Sequence, residues 1–168
     1  EGLADHIHPA IEQFAREVPG RLHFVGYSMG GLLIRVYLNR HRPARLGRIV
    51  MVGTPNQGSE CADMVMHLRL YKKLYGPAGQ QLVTDQSGFA HIFGAVDYEL
   101  GVIAGNFPLD FIASYIIGKP NDGKVSVEST RLPGMKAHVT LRADHTFFPS
   151  NRKMWRCVRQ FLASGMMP

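Results

Sequence analysis

Cysteine is scarce in this chain. The two present, Cys61 and Cys157, lie far apart without metal-ligand spacing, so no thiolate metal site is expected, and pairing or two free thiols both stay open. No apolar run is long enough to span a membrane. No internal repeat and no low-complexity segment is present, which argues against repeat arrays and disordered linkers. Acidic residues are outnumbered, 13 against 19 Lys and Arg, for a formal net charge of +6. The basic residues are spread along the chain, with one denser group at Arg152, Lys153, Arg156 and Arg159. Aromatics do not interleave with them, so the group reads as a solvated helix face and no nucleic-acid partner is expected. No signal-peptide pattern precedes the first helical stretch.

What is present suffices for a core. Hydrophobic residues make up 45% of 168 positions, enough for one domain spanning residues 1–168. The chain is organised around Leu22-His23-Phe24-Val25-Gly26-Tyr27-Ser28-Met29-Gly30-Gly31. An apolar run meets Gly-x-Ser-x-Gly and passes directly into the helical pattern Leu32 to Leu38. Strand, tight turn and helix follow one another with a serine at the apex. So sharp a turn holds the serine in a strained backbone conformation. Side chains two positions away are expected to clash with strand and helix, which accounts for Gly26 and Gly30. The turn lifts the Ser28 hydroxyl to the positive end of the helix, the arrangement of a nucleophile elbow.

With this motif, Gly53-Thr54-Pro55-Asn56-Gln57-Gly58-Ser59, Asn121-Asp122-Gly123-Lys124-Val125 and Asp144-His145-Thr146-Phe147, the sequence resembles the α/β-hydrolase superfamily, in particular bacterial lipase- and esterase-like members. Tyr27 departs from the histidine that relatives often carry there, which bears on the pocket floor and assigns Tyr27 to substrate contact. The resemblance implies a mostly parallel sheet flanked by helices. Several strands precede the nucleophile strand in that fold, and few residues precede Ser28 here. The resemblance therefore implies the C-terminal part of a larger hydrolase, or a short form. The segment before Glu1 would then be a partner of the fold and the source of the second oxyanion donor.

In order, Leu3, Ile7, Ile11, Phe14 and Val18 recur at helical spacing up to Pro19-Gly20. Arg21 to Gly26 is the first expected strand. Ile49 to Val52, Tyr98 to Ala104 and His138 to Leu141 are the next three, the second being continuously apolar as in a strand covered on both faces. The loop Gly53 to Ser59 resembles the Thr-Pro-x-x-Gly-Ser segment that lines the site of lipases. It offers Thr54, Pro55 and Asn56 for substrate, or is a plain capped loop. Residues 60–96 show helical periodicity without a clear strand and suit a cap over the site. Phe107 to Ile117 is expected to cover the sheet, wall the pocket or pack on the preceding segment. A last amphipathic helix carries Met154, Trp155, Val158, Phe161 and Leu162.

A serine hydroxyl needs a base to take its proton, and the base needs an orienting acid. The superfamily order is serine, acid, histidine, and the chain offers Ser28, Asp122 and His145. Asp122 is alternatively a turn residue in Asn-Asp-Gly or a helix cap. Asp110 is the reserve acid, and Asp144 is poorly placed to reach the neighbouring ring. His138 is expected to pack on the sheet, and the His23 side chain to point away from the apex. The resemblance implies acyl transfer without metal or cofactor, with the Met29 N–H as one oxyanion donor and an ester or lipid as substrate. An ester in water and one at a membrane surface, with transient contact, both fit. The same triad serves an acyltransferase or thioesterase, and a non-catalytic binding module keeps the fold as well.

Overall fold

The computed structural model describes residues 2–58 and 93–168. The expected cap at 60–96 falls almost wholly outside them, as does Cys61. Helix α1 (Gly2–Glu17) leads into strand β1 (Leu22–Tyr27), helix α2 (Met29–Arg40) and strand β2 (Leu46–Val52). Strand β3 (Leu100–Gly105), helix α3 (Phe111–Ile117), strand β4 (Ala137–Leu141), a 3-10 turn (Phe148–Ser150) and helix α4 (Arg152–Ser164) follow.

The four strands are all parallel and lie in the order β1-β2-β3-β4. Register aligns their carboxyl ends: Tyr27 pairs with Val52, Val52 with Ile103, and Gly105 with Leu141. The segments after β1, β2 and β4 therefore leave the sheet at one edge, where open α/β sheets bind ligands.

The core follows the period of two along β2. Ile49 and Met51 face one way and join Leu32, Val36, Tyr37 and Leu38 of α2. Val50 and Val52 face the other way and join Phe148, Met154, Val158 and Phe161. All four β2 residues are fully or almost fully buried, which is why the strand reads as an unbroken apolar run. Ile7 and Ile11 of α1 pack on the α2 side.

Four expectations need adjustment. β1 runs one residue further, to Tyr27, and β2 begins at Leu46, because Leu22 pairs with Leu46 before the bulge between Leu22 and Phe24. β3 starts later, at Leu100. The apolar stretch at 107–117 does not cover the sheet: Phe111, Ile112 and Tyr115 of α3 are 77–88% exposed. Among the described residues no helix is long and apolar enough to cross a membrane.

Candidate active site

Ser28 is the only non-glycine residue with positive φ among the described residues, at φ 52° and ψ −125°. Such a conformation costs on the order of 1–3 kcal/mol and persists only where its surroundings enforce it. Here the Ser28 N–H donates to the Val52 carbonyl at 2.8 Å, and the Gly31 N–H donates to the Ser28 carbonyl at 3.1 Å. The apex is thus fastened to the end of β2 on one side and to α2 on the other.

Of the two glycines expected to be crowded, Gly26 is and Gly30 is not. A Cβ on Gly26 would lie 2.6 Å from the Gly31 backbone, and one on Gly31 would run into the Thr54 side chain. Nothing stands within 4 Å of a Cβ on Gly30. The tight pair is Gly26 and Gly31, since the strand crosses the helix one residue later than the motif suggests. The Met29 N–H opens α2, and the first N–H groups of a helix lack partners within it.

His145 follows β4 and reaches back to the elbow. Its Nε2 lies 3.0 Å from Ser28 Oγ, and its Nδ1 lies 2.8 Å from Asp122 Oδ2. A carboxylate oxygen accepts, so the ring proton belongs on Nδ1 and Nε2 faces the hydroxyl as an acceptor. Asp122 is completely buried. Its other oxygen, Oδ1, accepts the N–H groups of Lys124 at 3.0 Å and Val125 at 2.8 Å. The turn chemistry of Asn-Asp-Gly thus orients the carboxylate instead of competing with it. The His145 N–H donates to the Asp122 carbonyl at 2.8 Å. Gly53, at φ +54°, lets the end of β2 pass close by: a Cβ there would stand 3.2 Å from both Asp122 Oδ2 and His145 Nδ1.

The other aspartates are engaged elsewhere. Asp110 caps α3 by accepting the Ala113 N–H at 2.9 Å. Asp144 accepts the N–H of Leu109 and that of Thr146, both at 2.9 Å. His138 meets the Thr130 hydroxyl at 3.0 Å, and burial, reinforced by Arg131, lowers its pKa to about 4. His23 accepts the Arg48 N–H at 2.9 Å, behind the apex.

The four residues expected to meet substrate are placed unequally. Tyr27 is 37% exposed. Its hydroxyl donates to the His145 carbonyl at 2.6 Å, and the two rings are 5.2 Å apart. Thr54 is buried against Gly31, and its hydroxyl has no partner among the described residues. Pro55 is buried. Asn56 donates to the Thr130 carbonyl at 2.7 Å and accepts from Arg35 at 3.4 Å. Thr54 and Asn56 thus pack the loop against α2 and against the segment that carries Thr130.

Arg35 escaped the sequence reading. Its guanidinium is buried on α2, sits 4.8 Å over the Phe93 ring and also donates to the Asn56 carbonyl. A charged residue within an apolar helical stripe was the only signal. No group of three His, Cys, Asp or Glu among the described residues is placed to hold a metal ion.

The sequence model of the α/β hydrolase fold matches residues 19–96. No curated protein matches the chain significantly. Among solved structures, the mature form of the Bacillus licheniformis lipase BlEst2 is similar at TM-score 0.72 and 22% identity, over 98% of this chain and 72% of that one. The metagenomic carboxyl esterase MGS0156 is similar at TM-score 0.65 and 18% identity, over 82% of this chain and 49% of that one. The phospholipase PlaB from Legionella pneumophila follows at 0.57 and 17%, over 77% and 33%. The chain spans about half the length of that esterase and a third of that phospholipase.

Proposed function

This chain carries an α/β-hydrolase fold, and from that premise we propose that it is a serine hydrolase of carboxylic esters acting through an acyl-enzyme. The observation that carries the reading is the continuous contact from Asp122 through His145 to Ser28, at 2.8 and 3.0 Å. Both lie within the reach that proton transfer between nucleophile and base requires.

Ser28 Oγ attacks the ester carbonyl as His145 Nε2 takes the hydroxyl proton. Asp122 keeps the ring in the tautomer that leaves Nε2 free to accept, and it stabilises the cationic ring that forms. The Met29 N–H donates to the carbonyl oxygen as its charge develops; a donor of this kind is worth about 2.7–4 kcal/mol in the transition state. His145 then protonates the departing alkoxide, and the alcohol leaves. Water enters, loses a proton to His145 and attacks the acyl carbon, and Ser28 regains its proton on release of the acid. Tyr27, Met29 and Phe147 are exposed apolar side chains next to or near the reacting residues in sequence. They suit an ester with an apolar acyl or alkyl group, including a lipid.

Labelling with a fluorophosphonate, followed by hydrolysis of p-nitrophenyl butyrate, tests the reading. Label on the protein and none on Ser28→Ala, with ester hydrolysis lost in parallel, is the expected result. A folded protein whose Ser28 stays unlabelled, or an unchanged rate in Ser28→Ala, overturns it.

A further inference from the structure

Four polar atoms of His145 are held from different directions. Nε2 and Nδ1 face Ser28 and Asp122, the backbone N–H faces the Asp122 carbonyl, and the carbonyl accepts the Tyr27 hydroxyl at 2.6 Å. The last contact spans 118 positions of sequence and comes from the residue immediately before Ser28. Tyr27 ends β1, and its ring lies beside the His145 ring at 5.2 Å with 35° between the planes. One dipeptide therefore grips His145 twice, Ser28 at the imidazole and Tyr27 at the main chain.

We propose that Tyr27 is a positioning residue, whose hydroxyl fixes the peptide plane after His145 and so holds the imidazole at bonding distance from Ser28. The inference rests on the reading of Ser28 and His145 as the reacting pair. Its logic is geometric. His145 sits on the connection after β4, an edge of the sheet, whereas Ser28 sits after β1, the opposite edge. Two intervening strands separate their anchors, so a shift of the connection moves Nε2 away from Oγ, and small misplacements of reacting groups are costly in rate. The Tyr27 hydroxyl links the two edges directly. Asp144 steadies the same connection from its other side by accepting the N–H groups of Leu109 and Thr146. Burial, with the nearby Asp122 and Asp144 carboxylates, raises the Tyr27 pKa and keeps the phenol a donor.

Tyr27→Phe removes the hydroxyl and keeps the ring. In p-nitrophenyl butyrate hydrolysis the variant should lose about tenfold in kcat, as expected for one hydrogen bond, with KM unchanged. Its thermal midpoint and circular dichroism should stay close to the parent's. A raised KM at unchanged kcat would mean that the hydroxyl meets substrate, and would overturn the proposal, as would unchanged kinetics. The proton NMR signal of His145 Nδ1–H gives a second readout that needs no turnover. It should be resolved downfield in the parent and broadened by exchange in Tyr27→Phe. An identical signal in both proteins overturns the positioning role, even if Ser28 labels normally. Failure of Ser28 to label, with the NMR difference present, would instead overturn the hydrolase reading and leave the clamp standing.

Discussion

At the scale of single residues, the site turns on which atom faces which. Asp122 Oδ1 is taken by two backbone N–H groups, and only Oδ2 faces His145. In Asp122→Asn the amide oxygen must keep the first position, so the NH2 group points at Nδ1. The ring then carries its proton on Nε2 and cannot accept from Ser28. We expect kcat for an ester to fall by roughly 10⁴-fold with KM little changed, while the protein folds normally. The elbow gives a second expectation. Gly31→Ala drives a methyl group into Thr54 and should cost about 1–3 kcal/mol in urea unfolding. Thr54→Ala should return part of that loss in the double mutant, because the two positions share one contact. Gly30→Ala, with open space around it, should not show this loss.

At the scale of elements, β4 carries a titrating contact. The His138 ring meets Thr130 and has a pKa near 4, against 6.5 when unfolded. Above pH 6.5 both states are neutral, and the stability that the buried neutral ring contributes is fully present. Between 6.5 and 4 the unfolded chain binds a proton that the fold resists, so stability falls with falling pH. The ring is half-buried, and solvent screens part of the effect. Urea midpoints measured from pH 7.5 to 4.5 should drop less steeply in His138→Gln than in the parent. Equal slopes would show that the ring titrates normally. Much of this layer could be read from the sequence. The expected helix at 3–18 forms at 2–17, and the four strands lie within one to three residues of their predicted ends, because apolar period and Gly-Pro punctuation act locally. α3 marks the limit of that locality: its stretch is apolar, but nothing local states which surface will receive it.

At the scale of the whole molecule, two apolar layers on opposite faces of one parallel sheet hold the strand ends in line. Phe161 of α4 is fully buried among Val50, Ile103 and Val158. Phe161→Ala should cost about 3–5 kcal/mol and abolish labelling of Ser28 near the unfolding temperature before it does so in the parent. Labelling and circular dichroism followed through one thermal ramp check this. Asp110, Asp122 and Asp144 all stand between Ser28 and His145 in the chain, so the order serine, acid, histidine admits all three; in the structure Asp122 meets the His145 ring, while Asp110 and Asp144 accept backbone N–H groups.

The sequence alone determined the strand, turn and helix around Ser28, the succession of strands along the chain, and a short set of acids and bases at their ends. Those features depend on dihedral preferences and apolar period over a few neighbours. Only the tertiary structure decided that Asp122 faces His145, that Gly31 and not Gly30 is the crowded glycine, that Thr54 and Asn56 turn inward, and that Tyr27 grips the His145 carbonyl. Each of those depends on contacts between segments up to 118 positions apart. Side-chain direction at such a distance is set by sheet register and loop path, which no local pattern encodes.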